Sequence, residues 1–418
     1  MSGPSAARAA VLFAPVAQGA IEAVVYGYGP LHLRQALGEG SLTVVTLFMG
    51  ATALVTFLVA GAWGRLGDRS GRTLELMAGG LAGAGVGLYL LPAGRTSAAF
   101  IALAVASAGL LAAVGPLGVA WLTVRTPRQP ALEAARFYRG RSIGWAVGSF
   151  GTSYLVRAGG IAGVTRAFWA GGGLALVAAL TLAAAALAGR RPAPIGGAAL
   201  PGAAPVRQRD PGPAGSEPGT PEPAAGPVWR NPFVAGVALT VVLTATGNEA
   251  FFAVLATYLT EFLGGPPSLV GLSLGVASTL GIAVIGPVGN LADRWGPERV
   301  LFLGTLGYFA MYALVILARD PVAVTAAFAV PLYPFLSTGA TGVLARRTSA
   351  RRRGEAIGLY EGSAALAATA GSLAAGLVAD ALGLPWVPVL SVSLAAAGAL
   401  AAWTRVVRAA AAVRSRSL

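Results

Sequence analysis

A chain of 418 residues with a mean hydropathy of +0.71 and only 16 acidic side chains lacks the polar surface that a soluble protein of this size needs, so it reads as an integral membrane protein. The net charge of +14 does not indicate a nucleic-acid binder, because the basic residues alternate with apolar stretches instead of gathering in one domain. Cys is absent and all 30 basic side chains are Arg, which excludes disulfides, thiol chemistry and Cys-based metal sites; no cofactor and no metal are expected.

About 20 mainly apolar residues cross a bilayer, and the composition supplies twelve such stretches. They run over 9–29, 43–63, 74–93, 98–122, 141–158 and 165–188, then 233–262, 268–288, 299–318, 321–345, 355–379 and 385–407. The first is read as a span and not a cleaved leader, because its apolar run is long and carries Glu22 near its middle. With the N-terminus in the cytoplasm, only Arg34, Arg95, Arg157, Arg166 and Arg319 lie outside, leaving 25 basic residues inside. The expected protein is therefore all-α, multi-pass, with both termini cytoplasmic, in the cell (plasma) membrane, and a monomer.

In the first span, Gln18, Glu22 and Tyr26 are spaced i, i+4, i+8 and form one polar stripe. His32, the only histidine, is expected on the outer surface. After the second span comes GRLGDRSGR, residues 64–72, with three Arg and one Asp in nine positions. Pro116 is expected to kink the fourth span, and Pro331 and Pro334 the tenth. The fifth opens on RGRSIGWAVGS (139–149), whose Gly144 and Gly148 allow a close helix approach. Arg141 in that stretch is expected at the cytoplasmic interface.

Residues 190–231 separate six spans from six; ten Pro and seven Gly fall within 190–230, the composition of a tether. The domain organisation expected is thus 1–189, a linker at 190–231, and 232–418. In the seventh span, Asn248 and Glu249 sit at mid-depth. GNLADRWGPER (289–299) repeats the Gly, Leu, Asp, Arg and Gly of residues 64–71 in spacing, and RRGEAIGLYEGS (352–363) repeats the stretch at 139–149. These two echoes make the chain a parallel repeat of two six-helix units.

Ionisable residues inside a membrane are costly and mark function by default. Glu22 and Glu249 are the leading candidates to exchange a proton, with Gln18, Tyr26 and Asn248 beside them; Trp145 and Tyr360, on the fifth and eleventh spans, are candidate substrate contacts. Glu361 and Arg141 are second-tier candidates for cavity charge, both expected rather at the cytoplasmic interface, and Tyr308, Tyr312 and Tyr333 are weaker aromatic candidates.

Twelve spans in a 6+6 repeat, a long central loop and the Gly-x-x-x-Asp-Arg-x-Gly-Arg loop resemble the major facilitator superfamily over nearly the whole chain. The resemblance implies two six-helix bundles related by a pseudo-two-fold axis, helices 1 and 7 lining a cavity, and transport by alternating access. It also implies a conformational latch carried by Gly64, Asp68, Arg69, Gly71 and Arg72, in which Asp68 faces the positive end of helix 11 and Gly64 allows close contact. Gly289, Asp293 and Arg294, followed by Gly296, carry a degenerate second copy, with Pro297 and Glu298 where the first has Gly-Arg order.

No HExxH, Walker lysine or Ser–His pair occurs, so neither an enzyme nor a nucleotide-driven pump is expected. The expected activity is proton-coupled export of a small drug-like or sugar-like molecule, neutral or cationic. Drug antiporters of the family carry a proline in span 5 that is missing from GSFGTSYLVRAGG; proton-coupled import of a sugar or organic acid is the alternative.

Overall fold

The computed structural model describes residues 3–125, 130–189, 227–349 and 352–411, so most of the 190–231 linker lies outside the described residues. Among these residues there are helices and no strand. Eleven helices are long and apolar enough to cross a membrane. They are α1 (Ser5–Ala36), α2 (Leu42–Ser70), α3 (Thr73–Ala93), α4 (Ser97–Arg125), α6 (Ile161–Ala188), α7 (Pro232–Phe262), α8 (Ser268–Trp295), α9 (Pro297–Leu317), α10 (Pro321–Arg347), α11 (Glu355–Leu382) and α12 (Trp386–Ala411). Between the fourth and sixth lies α5 (Pro130–Gly159), 30 residues long.

Helix α5 is the least apolar of the twelve for a structural reason. It is packed between α1 of its own half and α8 of the other, so Ser149 and Thr152 are buried against protein and Ser153 bonds across to α8. It also starts eleven residues ahead of the expected span, because Glu133, Arg136 and Arg139 extend it beyond the hydrocarbon.

Proline breaks the helices where expected. Helix α4 is interrupted at residues 112–113, just before Pro116, and α10 between Phe328 and Tyr333, around Pro331; a proline removes one backbone donor and clashes with the preceding turn. Three interruptions were not foreseen. Helices α1 and α7 end in π-turns over His32–Ala36 and Tyr258–Phe262, and α12 carries a third over Ala402–Val407. The first of these carries His32, which is not on the surface but 4% exposed, its ring stacked 5.0 Å from Phe100 and edge-on to Phe168 at 5.6 Å. The wider turn brings the imidazole inward, where its apolar ring body packs among phenyl rings.

In the first half α1 packs on α5 and α6, and α3 on α4 and α6; in the second, α7 packs on α11 and α12, and α9 on α10 and α12. The halves meet along two seams, α2 with α11 and α5 with α8, which exchange under the pseudo-two-fold axis. The α1–α5 crossing is tight because it is lined by glycine. A Cβ on Gly144 would overlap the Val16 backbone, one on Gly148 that of Ala20, and one on Gly19 the Arg141 carbonyl. In the second half the equivalent crossing of α7 and α11 uses Gly371, against the Thr246 carbonyl, while Gly358, the counterpart of Gly144, has nothing within 4 Å.

Candidate functional site

The closeness of α1 and α5 decides the chemistry at the centre of the first half. Both helices run in the same direction, so Glu22 and Tyr26 on α1 come into register with Arg141 and Trp145 on α5, also spaced i, i+4. Arg141 Nε donates to Glu22 Oε2 at 2.8 Å and Nη2 to Oε1 at 3.0 Å, and Gln18 Nε2 donates to Oε1 at 3.0 Å. Tyr26 and Trp145 stack with ring centroids 6.2 Å apart and planes 18° off parallel.

This corrects the expectation for Arg141. It does not sit at the edge of the membrane; it is the partner of Glu22, and two charges withdrawn from water require such a pairing. The matched i, i+4 spacing on two parallel helices was the signal available in the sequence. Glu22 is 6% exposed, whereas the Arg141 side chain remains 43% exposed: the guanidinium has the cavity on its other side.

The second half is built differently. The hydroxyl of Tyr312 on α9 donates to Asn248 Oδ1 at 3.0 Å, and the Asn248 amide reaches Glu249 Oε1 at 3.4 Å. Glu249 is half-buried and makes no ion pair among the described residues. Its neighbour across the α7–α11 crossing is Gly371. Tyr360 is 5% exposed, and Tyr333 of α10 is 65% exposed. Tyr333 lies within electrostatic reach of Glu361, Tyr360 and Glu249 on its own half and of Arg141 on the other. Arg141, Glu249 and Glu361 therefore lie around Tyr333, and Glu361 is exposed. Arg141 was placed too close to the membrane edge because it falls in the first turn of its apolar span.

The loop motifs lie on the face that carries the chain termini. Gly71 ends α2 in the left-handed region, with φ of 64°, as glycine permits. Asp68, Arg69 and Arg72 are exposed, and Asp68 makes no hydrogen bond or ion pair among the described residues. In this conformation a Cβ on Gly64 would meet only Pro116, at 3.9 Å, whereas Gly67 is pressed against Leu117 of α4. In the second copy Gly289 has nothing within 4 Å, Arg294 is exposed, and Asp293 faces Arg346 of α10 at 3.7 Å with its side chain 84% exposed. Glu298 is buried and paired to Arg347 at 3.0 Å.

The opposite face is closed by polar contacts between the halves. Arg34 at the end of α1 holds both oxygens of Glu261 at the end of α7, at 2.9 and 2.5 Å. Asp380 on α11 accepts bonds from the start of α2, and the Tyr28 hydroxyl accepts from the Gly271 amide at 2.9 Å. Ser153 donates to the Ser268 carbonyl at 2.7 Å and, nearer mid-depth, Ser278 to that of Ser142 at 3.0 Å. These ties between the halves all lie between mid-depth and the face away from the termini.

Two pseudo-symmetric helical halves, tied to each other on one face and carrying Arg141, Glu249 and Tyr333 where they meet, have the architecture of a membrane transporter. The comparisons with known proteins place it further. The chain belongs to the Major Facilitator Superfamily, whose model matches residues 11–332 and again 237–417. A mutant form of the nucleoside transporter NupG superposes with a TM-score of 0.72 at 12% identity, covering 95% of this chain and 98% of that one. A bacterial homologue of the human lysosomal transporter Spinster, inward-facing and occupied, gives 0.72 at 13% identity over 96% and 97%; its inward-facing, unoccupied form gives 0.69 at 15% over 97% and 98%. At such identities these structures share the fold. No curated protein sequence matches significantly. The protein is thus a multi-pass membrane transporter and not an enzyme.

Proposed function

We propose that this protein is a proton-coupled exporter of a small organic molecule, neutral or cationic, working by alternating access with its termini in the cytoplasm. The observation that carries the reading is the contrast between the two membrane carboxylates. Glu22 is committed to Arg141 through both oxygens, while Glu249 has one long bond to Asn248 and no cation. A carboxyl without a cation gains or loses a proton without breaking an ion pair, so Glu249 is the coupling site and Glu22 with Arg141 a fixed element of the cavity wall. Glu249 and Glu361, unopposed by Arg on their own half, with Tyr333 and Tyr360 beside them, suit an amphipathic cation. The positive-inside charge balance supports cytoplasmic termini, and then the cavity faces the cytoplasm, where an exporter loads.

The half-exposed guanidinium of Arg141 favours one other reading, proton-coupled import of an organic acid. Purified protein in proteoliposomes, given an imposed pH gradient and a panel of ethidium, sugars, nucleosides and carboxylates, separates the two. Ethidium transport driven by the gradient and abolished by Glu249→Gln, with binding retained, is the expected result. Transport untouched by Glu249→Gln removes Glu249 from coupling, and uptake of a carboxylate that requires Arg141 installs the importer.

A further inference from the structure

We propose that Asp380 is a positioning residue of the transport cycle: from the second half it caps α2 of the first half, and so holds the far face closed in this conformation. The first amides of any helix lack intrahelical acceptors and are normally satisfied from within the same segment. Helix α2 has such a local cap, since Ser41 Oγ accepts from the Val44 amide at 3.3 Å. The preceding two amides are satisfied from the far end of the chain. Asp380 Oδ1 accepts from Leu42 N at 2.7 Å, and Oδ2 from Thr43 N at 2.9 Å and from Ser41 Oγ at 2.8 Å.

A carboxylate at a helix N-terminus is favoured both by these bonds and by the helix dipole. Gly376, one turn earlier on α11, makes the approach possible, because a Cβ there would strike Thr43 and Leu42. The same connection is gripped a second time: Arg34, which donates to the Glu39 and Gly40 carbonyls at 2.7 and 2.8 Å, is bound by Glu261. Both gripping carboxylates come from the second half, and everything they grip lies within residues 34–43 of the first. Ser41 keeps its local bond in any state of the transporter, but the bonds to Asp380 exist only while the far face is shut. Opening that face exposes the Leu42 and Thr43 amides and the Asp380 carboxylate together, so the bonds weight the equilibrium toward the state described here. The inference rests on alternating access and on neither the cargo nor the coupling ion.

Since the chain has no Cys, paired spin labels are introduced at Gln35→Cys with Leu382→Cys on the far face, and at Ser70→Cys with Thr348→Cys on the face of the termini. Pulsed electron resonance in nanodiscs, without cargo, reads both distances. Asp380→Ala is expected to raise the fraction with a long far-face distance by about tenfold, as loss of charge-assisted bonds of ordinary strength implies, and to shorten the distance on the face of the termini in the same molecules. Asp380→Glu restores the original distribution in part. Unchanged distances overturn the proposal, and so does a far-face change without its counterpart on the other face, which is local fraying of α2. Should Asp380→Ala not fold, Asp380→Asn, which keeps one acceptor oxygen, is expected to give an intermediate shift and no shift overturns the proposal. None of these outcomes bears on Glu249, which is read by transport.

Discussion

At the centre of the first half, Glu22 is fixed by two bonds from Arg141 and one from Gln18, whereas at the same depth of the second half Glu249 has only the Asn248 amide, 3.4 Å away. The helices concerned, α1 with α5 and α7 with α11, are related by the repeat, yet the residue aligned with Arg141 is Glu355. That carboxylate accepts a bond from the Val228 amide at 3.0 Å and does not reach the cavity. The glycines differ in the same way: Gly144 is at a backbone crossing, while its counterpart Gly358 has nothing near it. A duplicated backbone thus supports one rigid centre and one with an unpaired carboxylate. The lesson is that repeat symmetry predicts helices and seams, while the charge chemistry of each half has to be read separately.

The sharpest way to break this comparison is to take the cation from the rigid half. Arg141→Ala leaves Glu22 buried without its partner, and the expected loss of stability is about 3–5 kcal/mol, read as a large fall in Tm; the double variant Glu22→Gln with Arg141→Gln is expected to recover much of it. Little change for Arg141→Ala alone removes the claim that the pair is fixed. Next in size is the glycine contrast. Gly144→Ala forces a Cβ into the Val16 backbone and is expected to cost about 1–3 kcal/mol, whereas Gly358→Ala stays within about 0.5 kcal/mol; equal costs in a denaturation assay remove the asymmetry. Glu249→Gln is expected to leave Tm nearly unchanged while gradient-driven transport is lost.

The smallest effects belong to the loop motifs. Asp293→Asn breaks an exposed pair at 3.7 Å, worth at most about 1 kcal/mol, and Asp68→Asn removes a side chain with no partner here, so neither moves the Tm. We infer that Asp68 works in the other conformation, so Asp68→Asn is expected to shift Cys accessibility toward the state described here. Equal labelling before and after leaves these charges as anchors of a turn.

Much of the fold was legible because membrane physics writes it in composition. Apolar length gave the helices, and prolines marked the breaks in α4 and α10. Helix α5 was legible only in part, since a helix sheltered by neighbours need not be apolar. Of the candidate site, Gln18, Glu22, Tyr26 and Trp145 do converge, as do Asn248 and Glu249. The Glu22–Arg141 pair was missed because burial depth, and not residue type, separates an anchor from a cavity charge. The engagement of Gly64, Asp68, Arg69 and Arg72 could not be read either: a sequence encodes two conformations of a transporter, and only coordinates tell which one is occupied. His32 misled for a third reason, since the π-turn that buries it leaves no mark in hydrophobic periodicity.

That turn also speaks about ancestry. A π-turn is an α-helix that has accepted one additional residue, and of the three such turns among the described residues two begin at His32 and Tyr258, 226 positions apart and at the corresponding end of α1 and α7, while the third, Ala402–Val407, belongs to α12 alone. The loop motifs are separated by nearly the same interval, 225 positions from Asp68 to Asp293. Two independent insertions at matching sites are a less economical history than one, made in a six-helix forebear before its gene was doubled and joined to its copy.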